Sequence, residues 1–522
     1  MADTRTQASS DGTGDRLARE TGLASLRQVF SGHAALFAWF LIFAFATRFH
    51  ALGDLNYHED ELLFFYIGQR MHDGLLPYVD IWDRKPPSLF LIYYLIAGVS
   101  RAVLAYQIIA ALFAAGTAFC IARLSELYAG RWSGLLAGSL YLALTVLFAG
   151  GGGQAAIFMN LPMALAALLV VARRDRLRQG LVDPSIFIAM ALAGFAITIK
   201  QTAIFEAAFL GLFVLFQCNR NQTSVMRFMR TGFLLALIGA LPMLLWAVFY
   251  LWQGHFAEFW HAMVTANLDK QYGSDARPLE RMGIFAVLLL PLLLPSAYSF
   301  FVRTSPDKPF SKLRPFVAGW TVAAFIGFAI IPNLIEHYAL PLLVPLCVSL
   351  APLLQRGLTG TAAGIGLTLL YLAMGPALNL THGQQSRTET ANLVAAMRKQ
   401  DPAMRLLVYD GPVYLYALTG SHPPTPLVFP LHLFFQAESN VSHLDTVEEF
   451  RKLIAMKPTT VVTRVRDKPA NLYNRTTHEM VKDYIARHCA QNFSRTLHDM
   501  YGEVKLVVHT QCANGTAINS AE

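Results

Sequence analysis

The densest group of residues able to do chemistry lies between positions 53 and 87. This stretch holds Asp54, Glu59, Asp60, Glu61, Asp73, Asp80 and Asp83, seven of the 34 acids in a chain of 522 residues. Its first half reads Asn56-Tyr57-His58-Glu59-Asp60-Glu61 and continues as an aromatic, helix-like run through Tyr66 to Met71. Its second half ends in Asp83-Arg84-Lys85-Pro86-Pro87, where the prolines pre-order the turn that presents the lysine. A carboxylate within hydrogen-bond reach of a hydroxyl can take its proton as it attacks. Beside a cation, such a carboxylate suits general-base chemistry on an anionic substrate. Glu59, Asp60 and Glu61 are the alternatives for that role. Three adjacent acids also offer oxygen ligands to a hard cation, but neighbouring residues point in different directions. A divalent metal at Glu59-Asp60-Glu61 therefore stays an alternative to the expectation of no cofactor. A merely solvated acidic loop is the plain reading against both. The interleaved Trp, Tyr and Phe argue instead for a position at a membrane interface.

The elements that must hold this loop are apolar. Hydrophobic residues make up 54% of the chain and charged residues 15%, against about 25% charged in soluble domains. Mean hydropathy is +0.41. These values exclude a disordered chain and point to many spans rather than one or two. Runs of about 20 apolar residues can cross a bilayer. Eleven runs qualify, near 33–52, 102–122, 132–150, 156–172, 184–199, 201–218, 231–251, 283–302, 315–331, 338–355 and 358–377. A shorter run, 88–99, reads as an interfacial helix or as an extension of the next span. With residue 1 inside, 18 arginines and lysines fall on inner segments and nine on outer connections. This bias predicts a cytoplasmic N-terminal segment, 1–32, and an outer C-terminal tail. The net charge of +8 is thereby read as loop bias, with no nucleic-acid partner expected. Trp252, Trp260 and Tyr272 are expected in an interfacial belt. Lys270, Arg277 and Arg281 are expected at lipid headgroups. Gly150 to Gly153 lack the Lys-Ser/Thr of a phosphate loop and read as a closely packed turn.

Beyond about 378 the pattern changes. Helices are expected over 388–400, 444–456 and 477–490, with strands at Leu406 to Tyr409, Thr460 to Val462 and Val504 to Val508. Alternating helices and strands predict a small α/β domain. Cys489 and Cys512 fall within it. Outside the cell they could form a disulfide; two unpaired thiols are the alternative.

The pattern Asp60-Glu61, Tyr66, Gly68, Gly74, Pro77-Tyr78, Asp80, Asp83, Lys85-Pro86-Pro87 resembles the first periplasmic loop of GT-C glycosyltransferases. Within that superfamily it is most similar to the bacterial group related to protein O-mannosyltransferases and the lipid A aminoarabinose transferase. The resemblance continues at Gly194 to Lys200-Gln201, at His337-Tyr338-Ala339-Leu340-Pro341, and at Tyr409-Asp410-Gly411-Pro412 to Tyr416-Ala417-Leu418-Thr419-Gly420. It implies an all-α polytopic membrane domain of about 11 transmembrane helices, over 33–377, with the catalytic first outer loop at 53–87. A C-terminal periplasmic α/β domain, 378–522, would cap the outer face and help to position the acceptor. The implied activity is transfer of a sugar, with inversion, from a polyprenyl-phosphate-linked donor to an envelope glycan, lipid or protein, at the bacterial inner membrane and in contact with its lipids. The resemblance puts the base at Asp60. Glu61 would orient it or bind the acceptor, and Glu59 is a competing acid. Lys85, Lys200 and His337 would bind the donor phosphate, and Tyr66, Tyr78, Asp83 and Tyr338 the substrate. A transporter or flippase of lipid-linked sugars is the alternative function. It would need charges near the bilayer midplane, whereas the acids cluster at the outer interface and Glu206 is isolated within its run.

Overall fold

The structure, a computed structural model, describes residues 32–220, 224–268, 277–301, 309–466 and 472–512. Almost all of the expected N-terminal segment, together with Lys270 and Tyr272, lies outside the described residues.

Each expected apolar run is helical. Seven helices among the described residues are long and apolar enough to cross a membrane: His33–Ala51, Val103–Tyr128, Ala155–Ala172, Gln201–Cys218, Val225–Trp252, Pro278–Phe301 and Gly357–Met374. Arg131–Leu147 and Pro184–Ile197 are apolar but shorter. Pro309–Ala329 forms a further helix, and the run 338–355 is broken at Leu350 into Leu340–Ser349 and Ala351–Leu354. The short run becomes a helix of its own, Pro87–Val99, which the extended backbone at Ser100 and Ala102 separates from the next span. The helix Val103–Tyr128 is the hub, packing against His33–Arg48, Arg131–Leu147 and Ala155–Ala172. Phe233, Leu245, Val248 and Trp252 on Val225–Trp252 are exposed, as expected of side chains facing lipid. Pro184–Ile197 meets Val225–Trp252 at Gly194, where any Cβ would overlap the carbonyl of Gly239. This backbone contact fixes the end of the helix from which Lys200 follows.

The tail contains one mixed sheet with strand order β1-β2-β4-β3. The strands are β1 Leu406–Val408, β2 Thr460–Arg464, β3 Gln491–Asp499 and β4 Gly502–Thr510. β1 and β2 are parallel, and the other pairings are antiparallel. The helices His382–Gln400, Thr446–Ala455 and Arg475–His488 correspond to the three expected. Strand β3 was not expected, because its sequence is mostly polar and five of its nine residues are exposed. A disulfide joins Cys489 and Cys512.

The first loop lies between the membrane helices and the tail. Asp54, fully buried, accepts a hydrogen bond from the Ser386 hydroxyl and pairs with His382 at 3.1 Å. Arg387 donates to the carbonyl of Leu52 at 2.7 Å, and the Trp82 N–H donates to that of Pro426 at 2.8 Å. Arg84 pairs with Glu438 at 2.9 Å. The tail thus holds the loop at both of its ends.

Candidate functional site

The loop helix Glu59–Met71 carries all three neighbouring acids in its first turn, where the positive end of the helix dipole favours negative charge. Its N-cap is His58, whose Nδ1 accepts the Asp60 N–H at 3.2 Å. Burial keeps the His58 imidazole below its ordinary pKa, so the ring is neutral and retains the lone pair that this cap needs.

The three acids meet three environments. Asp60 is half-buried and lies in the field of Lys85, His58, His337 and Lys200. Burial alone would raise its pKa. The charge of Lys85 foremost, with the other three groups, outweighs burial and holds the carboxyl down to about 2. Glu61 is fully buried. Burial pushes it up to about 8, moderated by the Gly153 backbone and the Tyr106 hydroxyl, so near pH 7 it is mainly a neutral acid. Glu59 faces the tail, 3.9 Å from Arg464. Burial lifts it to about 7, with Arg466 and Arg464 opposing.

Lys85 owes its position to two residues expected to touch substrate. Asp83 accepts the Lys85 backbone N–H at 2.7 Å, and the Tyr78 hydroxyl donates to the Lys85 carbonyl at 2.8 Å. Tyr78 is fully buried with φ +72°, a conformation that costs a bulky residue about 1–3 kcal/mol. Its N–H, bonded to the Ile81 carbonyl at 2.7 Å, and its packing against Phe90, Tyr250 and Phe259 hold it there. Burial would lower the pKa of Lys85, but Asp83, Asp60 and Tyr338 keep it above the ordinary lysine value. Its Nζ lies 5.2 Å from the centre of the Phe64 ring.

Lys200 sits in the turn between two apolar helices, with its Nζ 4.8 Å from the centre of the Tyr338 ring. Burial pulls it down to about 7, helped by repulsion from Lys85 and opposed by Asp60. His337 lies on the short helix Glu336–Ala339, with its ring 5.6 Å from that of His58. Burial holds it well below its usual pKa, and its buried Nδ1 has no partner among the described residues.

The structure therefore brings together Asp60, Lys85, Lys200, His337 and Tyr338, from three distant parts of the chain. Tyr66 stands apart, buried with its hydroxyl 3.2 Å from His422 Nδ1. Tyr78 and Asp83 act behind Lys85, through its backbone. His58, Arg464 and Arg466 were not foreseen. Histidine is not among the favoured helix caps, and the arginines approach through sheet pairing that the sequence does not display. Arg466 is held by Asp410 through two bonds of 2.7 Å. Among the described residues no group of three or more His, Cys, Asp or Glu is placed to hold a metal. The carboxyls of Glu59, Asp60 and Glu61 do not converge.

No family model matches the chain, and no curated protein matches it in sequence. Solved structures do match it. ArnT, the lipid A aminoarabinose transferase, from Cupriavidus metallidurans bound to undecaprenyl phosphate aligns with a TM-score of 0.56 at 14% identity, over 91% of this chain and 97% of that one. The same protein in the apo state aligns with a TM-score of 0.55 at 13% identity, over 94% and 98%. The apo oligosaccharyltransferase of Archaeoglobus fulgidus aligns with a TM-score of 0.51 at 12% identity, over 83% and 69%. The chain shares the fold of these structures: a mostly helical body, with several helices long and apolar enough to cross a membrane, and a small C-terminal sheet.

The turn of glycines packs under the site. A Cβ on Gly152 would overlap the Glu61 carboxyl. Gly152→Ala should therefore destabilise the protein by about 1–3 kcal/mol, read as a lower midpoint of thermal unfolding in detergent. Adding Glu61→Ala should restore part of the loss.

Proposed function

We propose that the protein transfers a sugar from a polyprenyl-phosphate-linked donor to an envelope acceptor at the outer face of the bacterial inner membrane, with inversion at the anomeric carbon. The observation that carries this reading is the Asp60 carboxylate facing Lys85, Lys200 and His337 on the fold of a protein crystallised with undecaprenyl phosphate. The donor is a phosphodiester whose phosphate gains negative charge as it leaves. Lys85, Lys200 in its protonated form and the imidazole N–H of His337 supply positive charge and a donor where that charge develops. The acceptor hydroxyl attacks the anomeric carbon, and its proton passes to Asp60. The new carbon–oxygen bond forms as the bond to the phosphate oxygen breaks, and the electron pair leaves with the polyprenyl phosphate.

A carboxyl held near 2 is a weak base, and the donor itself corrects this. An anion resting on Lys85 and Lys200 offsets the charges that depress Asp60, so its basicity rises when the donor is bound. Residues 33–377 would form the catalytic membrane domain and 378–522 a periplasmic domain, with the N-terminus cytoplasmic. The two-to-one excess of basic residues on inner segments and the Cys489–Cys512 disulfide support that orientation.

Mass spectrometry of envelope glycans and glycolipids, at matched protein levels, tests the reading. Deletion should remove one sugar unit and leave the lipid-phosphate sugar in excess. Asp60→Asn should do the same, with turnover reduced about 10²–10⁴-fold. Glu61→Gln replaces a mainly neutral acid by its amide and should stay within a few-fold of wild type. An unaltered glycan profile on deletion contradicts the transfer reading. Deletion that removes the sugar while Asp60→Asn retains it favours a transporter.

The donor phosphate also links binding to pH. Lys200 loses its proton above about pH 7, whereas a bound phosphate needs it. Affinity for undecaprenyl phosphate should fall by up to about tenfold per pH unit above 7. Lys200→Gln should bind more weakly and lose this slope.

A further inference from the structure

We propose that Tyr501, at the tip of the tail's long hairpin, is a positioning residue for the base. Acting through the His58 imidazole, it holds the first turn of the loop helix and so the backbone of Asp60. This role rests on the transfer reading above, which makes Asp60 the base. Strands β3 and β4 pair down to Asp499 opposite Gly502, leaving Met500 and Tyr501 as the turn. The hairpin tip takes three consecutive residues of the loop in order. Asn56 Nδ2 donates to the His498 carbonyl at 3.3 Å, and the Met500 N–H donates to the Tyr57 carbonyl at 3.3 Å. The Tyr501 hydroxyl lies 3.5 Å from His58 Nε2, with the two rings 6.1 Å apart. The tip is itself braced. The Tyr501 N–H donates to Asp499 Oδ1 at 2.8 Å, and Glu389, on the tail helix His382–Gln400, accepts the His498 N–H at 2.9 Å.

These hydrogen bonds fix the proton on the ring. His58 is the N-cap, and its Nδ1 accepts the Asp60 N–H at 3.2 Å. A ring nitrogen that accepts carries no proton, so the neutral imidazole has its proton on Nε2. That N–H faces the Tyr501 oxygen, which accepts it at the long limit of a hydrogen bond. The other tautomer would set an N–H at Nδ1 against the Asp60 N–H, donor against donor, and open the cap. His58 is buried, so an Nε2–H left without an acceptor would carry a desolvation cost. Tyr501 thus favours the one tautomer that caps the helix. The cap matters for the chemistry because Asp60 is the second residue of the helix Glu59–Met71. An uncapped first turn frays, and displacing a reacting group by about 1 Å can cost on the order of 10²-fold in rate. Docking of the tail and placement of the base are in this way a single event.

Tyr501 is 63% exposed, so Tyr501→Phe removes the hydroxyl without opening the core. The test is a double-mutant cycle in cells at matched levels, read by mass spectrometry of the modified envelope acceptor, with deletion and Asp60→Asn as references. Asparagine is a favoured cap whose oxygen needs no tautomer. We expect His58→Ala to lower modification about five- to tenfold and His58→Asn to recover most of that loss. Tyr501→Phe should lower modification about threefold beside His58 and have no further effect in the His58→Asn background. In purified full-length protein in nanodiscs, nitrogen NMR of labelled histidine, with His58→Asn subtracted, should show His58 protonated on Nε2 and bare on Nδ1 at pH 7. An equal Tyr501→Phe loss in both backgrounds, no loss in either, His58→Ala without loss, or a proton on Nδ1 would overturn the inference while the transfer reading survives. A deletion without effect on any glycan would overturn the transfer reading, and with it the role of Asp60 on which this one depends.

Discussion

The site depends on one interaction, a carboxylate kept ionised among protein atoms by cations it does not bond directly. Isolating Asp60 there would cost several kcal/mol without compensation, and Lys85 supplies the largest share of that compensation. Much of the surrounding structure serves to place that lysine. The strained Tyr78 grips its carbonyl, Asp83 its N–H, and Pro86-Pro87 fix the turn before the helix Pro87–Val99. Lys200 is placed by a different device, the backbone contact of Gly194 with Gly239, which sets the end of the helix preceding it. His337 comes from a third element, more than 130 residues further along.

The same physics separates three consecutive acids. On a helix, successive side chains diverge by about 100°. Glu59 therefore faces the arginines of the tail, Asp60 the lysines, and Glu61 the glycine turn below. Burial is the largest influence on each, and only at Asp60 do the neighbours reverse it: that carboxyl is held ionised, while Glu61 is kept mainly neutral and Glu59 titrates near neutrality. This divergence also explains why three adjacent carboxyls form no ready cation site, although their spacing in sequence invites one.

What could be read from the sequence follows from which signals are local. Apolar runs announce helices because each run needs only its own side chains, and all the expected runs are helical. The acids of the first loop and the Lys85-Pro86-Pro87 turn were legible for the same reason. The roles of Tyr78 and Asp83 were not, since both are polar groups in a loop and only tertiary contacts show that they act behind Lys85. Tyr66 likewise matches the pattern, but its hydroxyl is taken by His422 in the tail. Strand β3 was missed because β4 supplies its pairing and its own composition is polar. His58 was hidden by chemistry, because it caps the helix only while burial keeps it neutral.

The most direct measurement is the protonation state of Asp60, read by isotope-edited infrared spectroscopy of the carboxyl band, with Asp60→Asn subtracted. An ionised carboxylate is expected at pH 5 in the wild-type protein, and a protonated carboxyl at that pH in Lys85→Met. A carboxyl already protonated at pH 5 in the wild type, or one whose ionisation ignores the loss of Lys85, would contradict that expectation.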